Sequence, residues 1–237
     1  MKVKVCGITR SEDLLRCESS GADLVGFISI ERSKRRIKLK EIKELVSEMK
    51  NKRKAVLVLE PKNIEEVVMK MKKTGIRNVQ LHSLSASEIK YLRWIEGFNR
   101  NPFEQRIKII RALGLSEDST ELIDGEIRLS DEKIHEIESF SLICDAIIFD
   151  YQIQGKSGGT GKQIPLEIAL KAVKTAKNAN NNVEIILAGG ITLEIIRNEK
   201  DILEKIFDYM DVNSGVEDAP GIKNSEKLDE LLKITAQ

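Results

Sequence analysis

The chain has 237 residues, 41% hydrophobic and 32% charged, the proportions of a globular protein with a sizeable core and a densely charged surface. Its 39 basic and 38 acidic residues leave a formal charge of +1 and only 4% are aromatic, so neither bulk attraction to nucleic acid nor a base-stacking platform is available. Cys6, Cys17 and Cys144 are spaced neither as a metal knuckle nor as a disulfide framework, Met1–Val5 is too short and charged for a signal sequence, and no apolar run spans a bilayer, so a cytoplasmic location without a membrane partner is expected.

Taken in order, Val3 to Cys6 reads as a strand ended by Gly7, and Thr9 with Glu12 has capping-box spacing for a first helix carrying Leu14 inward. Asp23 to Ile28 is a second strand, followed by the basic loop Glu31 to Arg36 and a helix whose stripe is Ile42, Leu45, Val46 and Met49. Ala55 to Leu59 is the third strand; its helix carries Ile64, Val67, Val68 and Met71 and ends at Gly75. Asn78 to His82 predicts a fourth strand, Ser85 to Trp94 a helix, Phe98 to Phe103 a loop and Ile107 to Leu113 a fifth strand. Ser116 to Asp124 reads as loop, with a short hairpin at Gly125 to Leu129 and a fifth helix over Asp131 to Ser141.

Ala146 to Phe149 is a sixth strand terminated by Asp150, and a glycine-rich loop, Gly155 to Lys162, leads to a helix starting near Pro165 with Ile168, Ala172, Val173 and Ala176 on its buried face. Val183 to Leu187 and Tyr209 to Asn213 are the seventh and eighth strands, separated by a helix with Ile195, Ile202 and Ile206 and followed by one with Leu228, Leu231 and Leu232. Short apolar strands alternating with amphipathic helices imply a parallel sheet covered by helices, and eight units favour an α/β fold of the closed (β/α)8 type, a TIM barrel. No linker or low-complexity segment interrupts residues 1–237, which are expected to form a single domain.

In such a barrel reactive groups sit at the C-terminal strand ends, and phosphate sits against the turns after the last two strands. The turns Ala188-Gly189-Gly190 and Asn213-Ser214-Gly215 fit that position, their backbone N–H groups facing an anion, which points to a small phosphorylated substrate. Cys6 ends the first strand: it is either a small buried hydrophobe or a thiol whose pKa the anion site and Arg35 lower. Asp150 emerges from an apolar run, as a loop cap or as a carboxyl kept protonated for use as an acid. Gly158 to Lys162 is half a P-loop, but Gln163 breaks the motif, leaving a lid or a plain mobile loop. Arg32 to Arg36 is a solvated charge run or supplies one arginine for a substrate carboxylate. His82 and His135 lack the pairing of a metal site.

From end to end, Lys4-Val5-Cys6-Gly7-Ile8-Thr9, Gly21 to Phe27, Ser33-Lys34-Arg35, Val79-Gln80-Leu81-His82, Gly158 to Gly161, Leu187-Ala188-Gly189-Gly190, Asp211 to Glu217 and Pro220 to Lys223 resemble the phosphoribosylanthranilate isomerase family of tryptophan biosynthesis. The resemblance implies an Amadori rearrangement of N-(5-phosphoribosyl)anthranilate without a cofactor, with Cys6 as general base and Asp150 as general acid. It implies Arg35 and Asp211 in substrate binding and Gly189, Gly190, Ser214 and Gly215 around the phosphate. Two stretches depart from the pattern: Ile164-Pro165-Leu166 stands for Phe-Asp-Trp, and Val58-Leu59-Glu60-Pro61 for Val-Phe-Val-Asn. The alternatives are a sugar-phosphate barrel isomerase of other specificity and a catalytically silent barrel acting as an interaction partner. The expected assembly is a monomer or homodimer.

Overall fold

A computed structural model describes residues 1–99, 106–123, 126–153, 156–157 and 164–236. Eight parallel strands carry the architecture: β1 (Lys2–Cys6), β2 (Leu24–Ile28), β3 (Ala55–Leu59), β4 (Asn78–Leu81), β5 (Lys108–Leu115), β6 (Ala146–Ile153), β7 (Glu184–Leu187) and β8 (Tyr209–Val212). Each pairs with the next, β8 pairs with β1, and the sheet closes into the (β/α)8 barrel. The helices between and after them are α1 (Ser11–Ser19), α2 (Leu39–Glu48), α3 (Ile64–Thr74), α4 (Ala86–Asn99), α5 (Asp131–Ser141), α6 (Leu166–Ala179), α7 (Leu193–Ile206) and α8 (Ser225–Ala236). Among the described residues no helix is long and apolar enough to cross a membrane.

Two apolar layers follow from the alternation of side chains along each strand. Val3, Val5, Phe27, Leu57 and Phe149 face outward into the layer shared with the helices. Leu24, Ile28, Val56, Val58, Ile110, Ile148 and Ile186 fill the barrel interior. β-branched residues dominate because both faces of every strand are buried. The helices close the outer layer with the stripes read from sequence: Ile42, Leu45 and Val46 on α2, Ile64, Val67 and Met71 on α3. Gly75 stops α3, donating its N–H to the Met71 carbonyl at 2.8 Å.

Several boundaries differ from the sequence expectation. Thr9 and Glu12 form no capping box: the Thr9 hydroxyl donates to the Gly221 carbonyl at 2.5 Å, drawn away by a C-terminal hairpin, and α1 starts after Arg10, whose guanidinium binds Asp13. The hairpin expected at Gly125 to Leu129 starts earlier, Thr120–Ile123 pairing antiparallel with Glu126–Leu129 after a short turn at Glu117–Ser119. α4 continues past Trp94 to Asn99, so Phe98 is helical. β6 runs beyond Asp150, its last residues pairing with Lys156–Ser157. Ile202 faces solvent, because the buried stripe of α7 is Ile196 and Leu203. The glycine run Gly158 to Lys162 lies outside the described residues.

Candidate active site

At the C-terminal end of the barrel a cavity of about 380 Å³ is lined by Cys6, Arg35, Asp150, Gly189, Gly190, Asp211 and Ser214, with Gln80 and His82 from the end of β4. All of the sequence-derived site residues except Gly215 therefore line one mouth. Its apolar wall is Ile28, Ile30, Val58 and Ile191. A larger, open hollow of about 780 Å³ lies at the opposite rim, around the strand starts at Ile107, Asp145 and Glu184. In a (β/α)8 barrel that face carries stability rather than chemistry.

Cys6 is the last residue of β1, in register with Gly26 of β2. A Cβ at Gly26 would stand 2.7 Å from the Cys6 sulfur, so only glycine leaves room for the thiol. The expected lowering of the thiol pKa is corrected by the structure. Burial raises it above the ordinary value and Asp211 adds to that, against the pull of Lys4 and Lys223. Arg35 contributes no such field because its guanidinium is engaged: Nε and Nη2 donate to Glu217, the shortest contact being 2.6 Å. Nη1 stands outside that pair.

Across the mouth, Asp150 is 8% exposed and its carboxyl is pushed up to about 7, by burial first and then by the charge of Asp211. The Tyr151 N–H and Lys4 oppose that rise. Its Oδ1 is buried without a hydrogen-bond partner among the described residues. A buried acceptor in that condition is an unfilled position of the kind found where a ligand is handled. Asp211 accepts a 2.8 Å hydrogen bond from the Lys4 ammonium, both groups lying inside the barrel. Burial works against the Lys4 charge, but Asp211 and Cys6 more than offset it and hold the lysine pKa above its ordinary value.

The two late turns meet closely. Gly189 and Gly190 have φ of 85° and 65°, and a Cβ at Gly215 would fall 2.0 Å from the Ile191 carbonyl oxygen. Gly215 thus lets the turns after β7 and β8 pack against each other, while Ser214 reaches the cavity. The basic run resolves into pairs: Arg32 with Glu60, Arg35 with Glu217 and Arg36 with Glu31. His82 is held near 4 by burial and then by the Lys4 charge, so its ring is neutral. Gln80 Nε2 lies 2.9 Å from its Nε2, which fixes that ring nitrogen as the acceptor. Among the described residues no group of three or more His, Cys, Asp or Glu is placed to hold a metal ion.

Sequence reading missed Lys4, Lys223 and Glu217. Lys4 had a signal: it alternates with Val3 and Val5, which puts it on the face of Cys6. Lys223 is fully buried and donates to the Asn213 carbonyl, Asn213 Oδ1 and Glu217, tying the last hairpin to the turn after β8.

Fold and mouth together define a (β/α)8-barrel enzyme. The chain belongs to the N-(5′-phosphoribosyl)anthranilate isomerase family, whose model matches residues 3–234. It is 36% identical over 233 residues to the N-(5′-phosphoribosyl)anthranilate isomerase of Methanothermobacter marburgensis, covering 98% of this chain and 93% of that one. It is 30% identical over 239 residues to that of Aquifex aeolicus, covering 99% and 98%. The crystal structure of the Thermus thermophilus enzyme superposes with a TM-score of 0.74 at 27% identity, covering 100% of this chain and 98% of that one. A further structure, a phosphoribosylanthranilate isomerase in complex with reduced 1-(o-carboxyphenylamino)-1-deoxyribulose 5-phosphate, shares the fold at a TM-score of 0.74 and 22% identity, with the same coverage.

Proposed function

We propose that the chain converts N-(5-phospho-β-D-ribosyl)anthranilate to 1-(2-carboxyphenylamino)-1-deoxy-D-ribulose 5-phosphate, the isomerase step of tryptophan biosynthesis. The observation that carries the site assignment is the convergence of Cys6 and Asp150 on one cavity floored by paired glycine turns. A relative of the same fold binds the reduced form of that product.

Asp150, protonated by virtue of its burial, donates to the ring oxygen of the ribofuranose as the C1′–O bond breaks and the anilino nitrogen forms the iminium. The Cys6 thiolate takes the C2′ proton, giving the enolamine; tautomerisation returns a proton to C1′ and leaves the ketone at C2′. Proton transfer at two sites requires a fixed distance between them, and the phosphate, held by the N–H groups of the Gly189-Gly190 and Ser214-Gly215 turns, supplies the anchor. The apolar wall of Ile28, Ile30 and Val58 suits an aromatic ring. Arg35 Nη1 is the donor for its carboxylate, with Glu217 holding the guanidinium plane.

Loss of substrate fluorescence in a coupled assay tests this. Cys6→Ala and Asp150→Ala should each lower kcat by roughly two orders of magnitude or more, the scale of general acid–base catalysis. Wild-type turnover in both variants would refute the assignment.

A further inference from the structure

Among the described residues, every interior position of the barrel strands flanking the mouth is apolar or small except on β1, β4, β6 and β8, and the one lysine among them is Lys4. Its side chain is wholly buried, its Nζ fixed 2.8 Å from Asp211 Oδ1, and strand register sets Lys4 beside Asp211. An ion pair taken out of water loses solvation worth several kcal/mol, and well-packed apolar residues of similar volume commonly do better. The neighbouring interior positions, Leu24, Val56, Ile110 and Ile186, are filled in that way. A charge kept here is unexplained by packing. Lys4 lies two residues before Cys6 on the same face of β1, so their Cα atoms stand roughly 6–7 Å apart along the strand, a gap the long lysine arm spans to bring its ammonium within hydrogen-bonding reach of the thiol.

We propose that Lys4 is a positioning residue for proton transfer at Cys6: its ammonium, locked by Asp211 inside the barrel, is the cation that supports the thiolate. This rests on the reading of Cys6 as the base. The charged and titratable groups around the thiol are Lys4 from β1, Asp211 from β8, Asp150 from β6, His82 after β4, Arg32, Lys34 and Arg35 from the loop after β2, and Lys223 from the last hairpin, with Glu217 behind Arg35 and Lys223 as their shared partner. Arg35 is neutralised by Glu217, Lys223 shares the same carboxylate, His82 is uncharged, and the two aspartates oppose ionisation of the thiol. Lys4 is the foremost charge acting in its favour. Asp211 then has a second task, holding the ammonium in place.

The other two cysteines make the test clean. Cys17 and Cys144 are buried away from the mouth and pushed up to about 12, whereas Cys6 lines the cavity, so a modification mapped to Cys6 reports on the thiol in question. Thiolate absorbance and the rate of iodoacetamide alkylation, mapped to Cys6 by mass spectrometry, are followed against pH in Asp211→Asn and in Lys4→Met/Asp211→Asn. Both lack the carboxylate, so neither leaves a buried aspartate unpaired. The double variant should titrate at least about one unit higher and alkylate roughly tenfold more slowly below both midpoints. Coincident profiles in the two variants would overturn the proposal. Wild-type turnover in Cys6→Ala would instead remove the base assignment, an outcome the alkylation profile cannot mimic.

Discussion

With its carboxyl pushed up to about 7 from an ordinary 3.8, Asp150 stays protonated in the folded chain where it is ionised in the unfolded one. Its stabilising contribution is fully present below about pH 4 and is lost as pH rises through about 7, the order expected for a raised folded-state pKa. Asp150→Asn should therefore gain on wild type as pH rises from about 4 to 8, by at most on the order of 4 kcal/mol, the equivalent of that shift. Urea unfolding at both pH values measures it, and parallel curves would show that the carboxyl ionises freely. In the proposed mechanism the same residue sets the pH dependence. The thiol lies above its ordinary value and the acid near 7, so the reactive combination, protonated Asp150 with Cys6 thiolate, is a minority form at every pH. Its population rises with pH up to about 7 and is level from there to the thiol pKa. The profile of kcat/KM should show that rise and plateau; a fall starting near 7 would place the thiol below the acid.

Elements matter here through where they leave room. Gly26 on β2 gives the Cys6 sulfur its place, and a methyl group there would also meet the Cys6 Cα at 3.2 Å. Gly26→Ala should cost about 1–3 kcal/mol from overpacking and lower kcat by tenfold or more, since a displacement of about 1 Å at a reacting group is worth up to roughly a hundredfold. A thermal melt with single-turnover rates separates the two effects, and unchanged chemistry would mean the thiol is not held by this strand. Strands such as β2 and β3 were legible because both faces are buried and they read as nearly continuous apolar runs, while β1 and β4 read as alternations of polar residues with Val3, Val5, Val79 and Leu81. Register was not, yet register is what sets Gly26 beside Cys6 and Asp211 beside Lys4. The hairpin at Thr120–Ile123 was read as loop although Asp124-Gly125 is a common two-residue turn signal. Its cross-strand pair Leu122 and Ile127 is exposed, so the alternation carried no burial cue. That Cys6, Asp150 and the turns after β7 and β8 share one mouth was legible from strand ends, but the electrostatics of that mouth were not. Arg35 and Glu217 are 182 positions apart, and nothing local announces that the cation expected to activate the thiol is already paired.

At the scale of the whole barrel, the two ends hold charge differently. The mouth keeps Lys4 and Asp211 out of water, a costly arrangement that stability alone does not reward. The opposite end is closed by Glu184, which meets Lys108 and Lys2 at once, with both ammonium groups over the Tyr209 ring at 5.4 and 4.8 Å. Glu184 is 28% exposed and Lys2 53%, so solvent screens this cluster. Its worth is about 1 kcal/mol, in keeping with partly exposed pairs. Glu184→Gln should lower the melting temperature by roughly 2–4 °C for a chain of this size. It should leave kcat/KM within about threefold of wild type, because Ile186 and the packed interior separate it from Cys6 and Asp150. The two measurements together decide whether the barrel divides its labour by end: a loss of turnover without a loss of stability would mean that charge at the strand starts is felt at the mouth.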